Sequence, residues 1–299
     1  MTATALSEIG TLAQLLLKHP REAFRSAAAI EQQWRALNFT APPDLAGAMA
    51  EYDRFVSSLN VDDVVLHFLP EAEATGLDSI YVRDGSVVCE RGAILCRMGK
   101  AARDGEPAAQ EAALRAMGYP IVGAITPPGR LEGGDVVWLA PRTIAVGRGY
   151  RTNDAGIAQL RTLLGDTIDE LIVVPLPHWR GPSDVFHLMS IVSPVDRDLA
   201  VVYSPLMPVA FREWLVDRGL TLVEVPDEEF ESMGANVLAI APRRAVMLAG
   251  NPITRGLLER AGARVIEYQG VDISLKGGGG PTCLTRPLRR IDPRANLRE

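Results

Sequence analysis

Cysteine is scarce in this chain of 299 residues: Cys89, Cys96 and Cys283 form an odd set without a C-x-x-C pair, so no metal-knuckle signature is present. Cys89 and Cys96 sit inside strand-like runs, where burial as small apolar residues is expected. Long apolar runs are missing as well. None approaches the ~18 residues that a membrane span requires, and Met1–Ser7 lacks a positive region followed by an apolar stretch, so no secretory signal is read and a cytoplasmic location is expected. Basic clusters are absent too: 31 basic against 37 acidic residues leave a net charge of −6, which argues against a nucleic-acid partner. There is no low-complexity segment, linker or heptad seam. What remains is an average globular composition, 47% hydrophobic and 23% charged, which permits a large core. One domain over 1–299 is expected.

Against these absences stands a recurrence. A polar residue opens a β-like apolar run at Asp84, Glu132, His187, Asn236 and Cys283, at intervals of 48, 55, 49 and 47 residues. Periods of this length mark propellers and related arrays, in which each unit brings its equivalent position to a common axis. A shared axis would gather a thiol, an imidazole and two carboxylates, the parts of a cysteine-nucleophile site.

Between these positions each unit reads strand, turn, strand, helix, strand. The modules span about 10–70, 78–125, 131–175, 186–226 and 234–269, closed by a segment at 277–288. Gly118, Gly219 and Gly262 follow the helices as left-handed stops. Asp154 is the expected N-cap of the third module's helix. The fourth module's first strand is expected at Leu188–Val192. In the first module, Leu12–Leu17 and Val64–Leu69 flank an insertion, a loop at Asn38–Pro43 and a helix near Asp44–Leu59. Arg289–Glu299 reads as a polar tail.

The strings Val82-Arg83-Asp84, Leu131-Glu132-Gly133-Gly134-Asp135-Val136, Tyr150-Arg151-Thr152-Asn153, His187-Leu188 and Gly277-Gly278-Gly279-Gly280-Pro281-Thr282-Cys283 resemble, in order and spacing, the guanidino-group-modifying enzymes. The dimethylarginine dimethylaminohydrolase branch looks nearest. The resemblance implies an α/β fold of five ββαβ modules in a propeller with pseudo-fivefold symmetry, the pentein fold. It also implies hydrolysis of arginine or an N-substituted arginine to a ureido product such as citrulline, without metal or organic cofactor. By resemblance Cys283 is the nucleophile, His187 the general acid/base, and Glu132 and Asp84 hold the guanidinium. Arg103 and Arg151 match arginines that bind a substrate carboxylate, and Asp78 stands where the substrate amino group is contacted. Two departures, Arg83 in place of Glu and Met189 in place of Asp, are expected near the substrate.

The residues support this chemistry on their own terms. A guanidinium carbon is a poor electrophile, so a strong thiolate nucleophile and rigid fixation of the substrate are needed. Two carboxylates suit a planar cation, each accepting paired N–H bonds. An imidazole can protonate the departing amine and then deprotonate water. His19, His67 and His178 lack the repeat placement and read as structural or surface residues. Asp135 shares the Glu-Gly-Gly-Asp string and is a further substrate-side candidate. The rivals are an amidinotransferase passing the amidino group to an amine, a non-enzymatic module such as the ribosome anti-association factor that uses a similar fold, and a cysteine peptidase, which the repeat architecture disfavours. The partner expected is a small guanidino molecule, with neither nucleic acid nor membrane involved. Exposed module edges raise the expectation of a homodimer.

Overall fold

The computed structural model describes residues 3–4, 7–59, 64–182 and 185–291. Four modules repeat one small sheet, an antiparallel hairpin whose second strand pairs in parallel with a third. The second module uses Ser86–Cys89, Gly92–Leu95 and Ile121–Ala124, and the third Val136–Ala140, Thr143–Arg148 and Glu170–Pro175. The fourth uses Val192–Asp196, Leu199–Val202 and Thr221–Glu224, and the fifth Val237–Ala241, Arg244–Leu248 and Arg264–Tyr268. A helix crosses from second to third strand in each: Glu106–Ala116, Asp154–Leu164, Val209–Asp217 and Pro252–Arg260. This is the expected pentein propeller of ββαβ modules.

Burial sorts the strands. The opening strands Ser86–Cys89, Val192–Asp196 and Val237–Ala241 are buried throughout, while the third strands Ile121–Ala124 and Thr221–Glu224 are largely exposed or half-buried. The opening strands therefore face the middle of the ring. The helix Asp154–Leu164 covers its sheet with an apolar stripe of Ile157, Leu160 and Leu164, the i, i+3, i+7 pattern of an amphipathic helix. Leu160 is fully buried, so its truncation to Ala would cost about 2–5 kcal/mol. Gly118, Gly219 and Gly262 do end helices at φ 70°, 79° and 85°. Cys89 and Cys96 are buried.

The first module is closed by both ends of the chain. Arg286–Ile291 runs antiparallel to Thr11–Leu17, which runs parallel to Val65–Phe68. The polar tail expected from Arg289 thus begins later: Arg289 and Arg290 belong to this strand, and Arg290 is buried with Nη1 donating to the Gly10 and Ala239 carbonyls at 2.6 and 2.8 Å. A buried arginine bonded to backbone looks polar in sequence, which hid the strand. The rest of the expected tail lies outside the described residues. The insertion contains two short helices, Pro20–Phe24 and Ala27–Gln33, and Asp44 caps the helix Leu45–Ser58 through the Gly47 N–H at 2.7 Å.

Two local readings need correction. Leu188–Ser190 is a 3-10 turn, and the fourth module's strand starts at Val192. Asn153, not Asp154, caps the third helix, its Oδ1 accepting from the Gly156 N–H at 2.9 Å. Asp154 instead pairs with Arg148 at 2.7 Å; both are acceptable caps by side chain, and the tie from Asn153 Oδ1 to the Arg130 N–H decides between them.

Candidate active site

The five recurring positions meet at one end of the ring. His187 Nε2 lies 2.7 Å from Glu132 Oε2, and His187 Nδ1 lies 3.8 Å from Asp84 Oδ1. Asn236 Nδ2 donates toward Cys283 Sγ at 3.5 Å, and Asn236 Oδ1 accepts from the Thr282 N–H at 3.1 Å. Asp84, His187, Asn236 and Cys283 line a cavity of about 540 Å3, while Glu132 is fully buried in its floor.

Backbone without side chains makes the approach possible. A Cβ at Gly134 would stand 2.7 Å from both Asp84 Oδ1 and His187 Nδ1, inside van der Waals contact, whereas the bare Gly134 N–H donates to Asp84 Oδ1 at 2.9 Å. In the glycine run before Cys283, a Cβ at Gly280 would fall 2.5 Å from the Asn236 amide. That run therefore packs on its neighbours instead of serving as a loose linker.

Each carboxylate is held by several donors. Glu132 accepts from the Gly99 and Lys100 N–H groups at 2.9 and 3.1 Å and from Arg151 Nη1 at 3.0 Å, besides His187. Asp84 Oδ2 receives Arg103 Nη1 at 2.6 Å. Asp135 lies behind them, accepting from Thr152 Oγ1 at 2.7 Å and from the Leu188 N–H at 3.0 Å; it fixes the residue next to His187 and does not line the cavity. Burial pushes Asp135 up to about 6 against the opposing pull of His187.

The protonation pattern follows from these contacts. Burial works against charge on His187, but Asp84, Asp135 and the bond to Glu132 outweigh it and raise its pKa to about 9. Burial likewise opposes charge on Glu132 and Asp84, yet His187 and the arginines hold both below the ordinary carboxylate range. The Cys283 thiol is pushed up, first by burial and then by Asp84. The free site thus pairs a neutral thiol with an imidazolium seated on two carboxylates. Asp84, Glu132 and His187 are the one group of donor atoms among the described residues spaced as metal ligands, within 4.8 Å of one another. They fit a divalent ion poorly, because Arg103, Arg151 and the imidazolium already neutralise the carboxylates.

The family model of arginine deiminase matches residues 78–210 and 207–290, which takes in all five recurring positions. The chain belongs to the arginine deiminase family. It is 32% identical over 82% of its length to an N(G),N(G)-dimethylarginine dimethylaminohydrolase of Streptomyces coelicolor, of which it covers 87%. Among solved structures it resembles the dimethylarginine dimethylaminohydrolase of Pseudomonas aeruginosa, a Cys-to-Ser mutant complexed with citrulline. The TM-score is 0.74 at 25% identity, over 93% of this chain and 99% of that one. An amidinotransferase of Microseira wollei superposes with a TM-score of 0.79 at 16% identity, covering 99% of each chain, a likeness of fold.

Within this family member the expected residues divide. Cys283, His187, Asp84, Asp78 and Arg151 line the cavity, with Glu132 beneath. Arg103 also reaches it, but its guanidinium is committed: Nε and Nη2 bond Glu106 at 2.9 and 2.8 Å, Nη1 bonds Asp84, and Nη2 also reaches the Tyr81 carbonyl at 3.0 Å. Neither departure lies in the cavity. Arg83 turns inward and pairs with buried Glu8 at 2.7 Å, and Met189 is in the hydrophobic core. Three residues were missed. Asn236 occupied a recurring position without an assigned role. Thr152, beside Arg151, bonds both Asp135 and the Glu132 N–H. Lys100, whose Nζ meets Asp78 Oδ2 at 2.6 Å, left no signal in the sequence pattern.

Proposed function

We propose that the protein hydrolyses a guanidino compound through a covalent S-amidino intermediate on Cys283. The observation that carries this is the convergence of a thiol, an imidazole and two charged carboxylates on one cavity. The substrate cation settles on Asp84 and Glu132, competing with the imidazolium for their charge. Its positive charge beside Cys283 offsets the repulsion from Asp84 and favours release of the thiol proton to solvent, which leaves the thiolate. Sγ then attacks the central guanidinium carbon. The resulting tetrahedral adduct expels one nitrogen as the C–N bond breaks, and His187 gives that nitrogen its proton.

The planar S-amidino cation that remains is hydrolysed in the reverse sense. Neutral His187 takes a proton from water, the hydroxide oxygen bonds the same carbon, and the C–S bond breaks to return the thiolate. Guanidinium and water become a ureido compound and a protonated amine or ammonia, so atoms and charge balance. Asp135, Thr152 and the Leu188 N–H keep the imidazole in line, and Asn236 orients the thiol.

A panel of guanidino compounds tests this, assayed for ureido product and released amine in heavy-oxygen water. Hydrolysis places one heavy oxygen in the ureido group. Transfer of the amidino group to an added amine, without label uptake, would replace this reading with the amidinotransferase one. No ureido or amidino product from any guanidine would defeat both.

A further inference from the structure

Lys100 projects an ammonium into the cavity at the place where a substrate's own amino group would need a partner. Its Nζ donates to Asp78 Oδ2 at 2.6 Å and to the Leu37 carbonyl at 2.7 Å, and its side chain is 18% exposed. The backbone clamps it there, since the Lys100 N–H is bonded to Glu132 Oε1. An ammonium has three N–H donors, so one remains after these two bonds.

The other charges on the wall are disposed in the same sense. Glu231 is taken by Arg180, and Asp84 by Arg103 on the side away from His187. Lys276 meets Asp272 at 2.6 Å, and Arg151 gives Nη1 to Glu132 while lining the cavity. The floor carboxylates are paired as well, but Asp84 and Glu132 share the imidazolium of His187, a charge that one guanidinium can replace. Elsewhere on the wall, Asp78 holds Lys100 and Glu231 holds Arg180, and a second ammonium beside Lys100 would face like charge at close range. An anionic group there would instead meet Lys100, with Arg151 lining the same cavity.

We propose that the substrate is an ω-guanidino carboxylic acid without an α-amino group, its carboxylate received by Lys100 and Arg151. This rests on the hydrolase reading above and specifies its substrate class. Asp78, expected from the sequence to contact a substrate amino group, instead positions Lys100.

The test compares kcat/KM of the intact protein for guanidinopropionate, guanidinobutyrate, arginine and agmatine, by ureido product. One of the two guanidino acids should exceed both arginine and agmatine by on the order of 10-fold or more. Lys100→Met, which removes the ammonium and releases Asp78, should lower that value and raise the value for arginine, shrinking or inverting the ratio. Arginine or agmatine used as well as the acids by the unaltered protein would overturn the proposal and leave the hydrolase reading intact. Ureido product from none of the four, but from a guanidine that lacks a carboxylate or carries an α-amino group, would also overturn it. Product from no guanidine at all would remove the hydrolase reading and this proposal with it. Should Lys100→Met fail to fold, the comparison in the unaltered protein decides alone.

Discussion

The cavity floor and a second ionic cluster beneath the Cys283 turn are both made of buried charge, and their surpluses are opposite. On the floor, four carboxylates, Asp84, Glu106, Glu132 and Asp135, face three cations, Arg103, Arg151 and the imidazolium of His187. Beneath it, Arg83, Arg286 and Arg290 share one carboxylate, Glu8. The two are joined by backbone: the Arg83 N–H donates to the Cys283 carbonyl at 3.2 Å, and Arg286 donates to the Arg83 carbonyl. The difference separates an exchangeable charge from a permanent one. His187 can yield its place to an incoming cation, because the floor opens to the cavity. The arginines cannot leave, and burial, with Arg83 adding its repulsion, pushes Arg286 down to about 9 and Arg290 to about 10, the latter eased by Glu8. Both stay charged at neutral pH.

The comparison is broken most severely at Glu132, whose charge four groups share. Glu132→Gln is expected to lower kcat/KM by on the order of a thousandfold, about 4 kcal/mol, in a protein whose circular dichroism is unchanged. The counterpart beneath is Glu8→Gln. It leaves Arg83 buried without its counter-charge and should cost about 3 kcal/mol in denaturant unfolding, while kcat/KM of the folded protein changes by less than about threefold. Equal kinetic losses in both variants would erase the distinction between the two clusters. Thr152→Val removes the bonds to Asp135 and to the Glu132 N–H and should cost about 1–2 kcal/mol, with kcat falling more than KM rises.

The smallest effect is the pH dependence. The folded-state pKa of His187, about 9, lies above the ordinary 6.5, so the stability it contributes is complete below pH 6.5 and is lost as pH rises through about 9. The thermal midpoint should fall over that window, and His187→Asn should flatten the fall. An unchanged slope in that variant would assign the dependence elsewhere.

The floor was far more legible in the sequence than the cluster beneath it. The recurring positions announce themselves because every module must begin its opening strand at the same end of the ring, so spacing alone brings Asp84, Glu132, His187, Asn236 and Cys283 together. Arg83 carries no such periodicity. Read beside Asp84, it is expected either to point outward or to pair with a second carboxylate of the substrate. In the fold it does neither and turns inward, because a 3-10 turn over Val82–Gly85 separates the two side chains and ring closure delivers Glu8 from 75 residues away. The commitment of Arg103 has a local cause that its match to the family did not show: Glu106, three residues on, occupies its fork. Lys100 was illegible because its partner Asp78 belongs to a different turn.

The central claim, that Cys283 performs the chemistry as a nucleophile, is tested most directly by turnover of Cys283→Ser on whichever guanidine the unaltered protein uses. A hydroxyl keeps the shape and the Asn236 contact but is a far weaker nucleophile at neutral pH. The account predicts a folded protein with the thermal midpoint of the unaltered one and ureido product below detection. Turnover within about tenfold of the unaltered protein would contradict it.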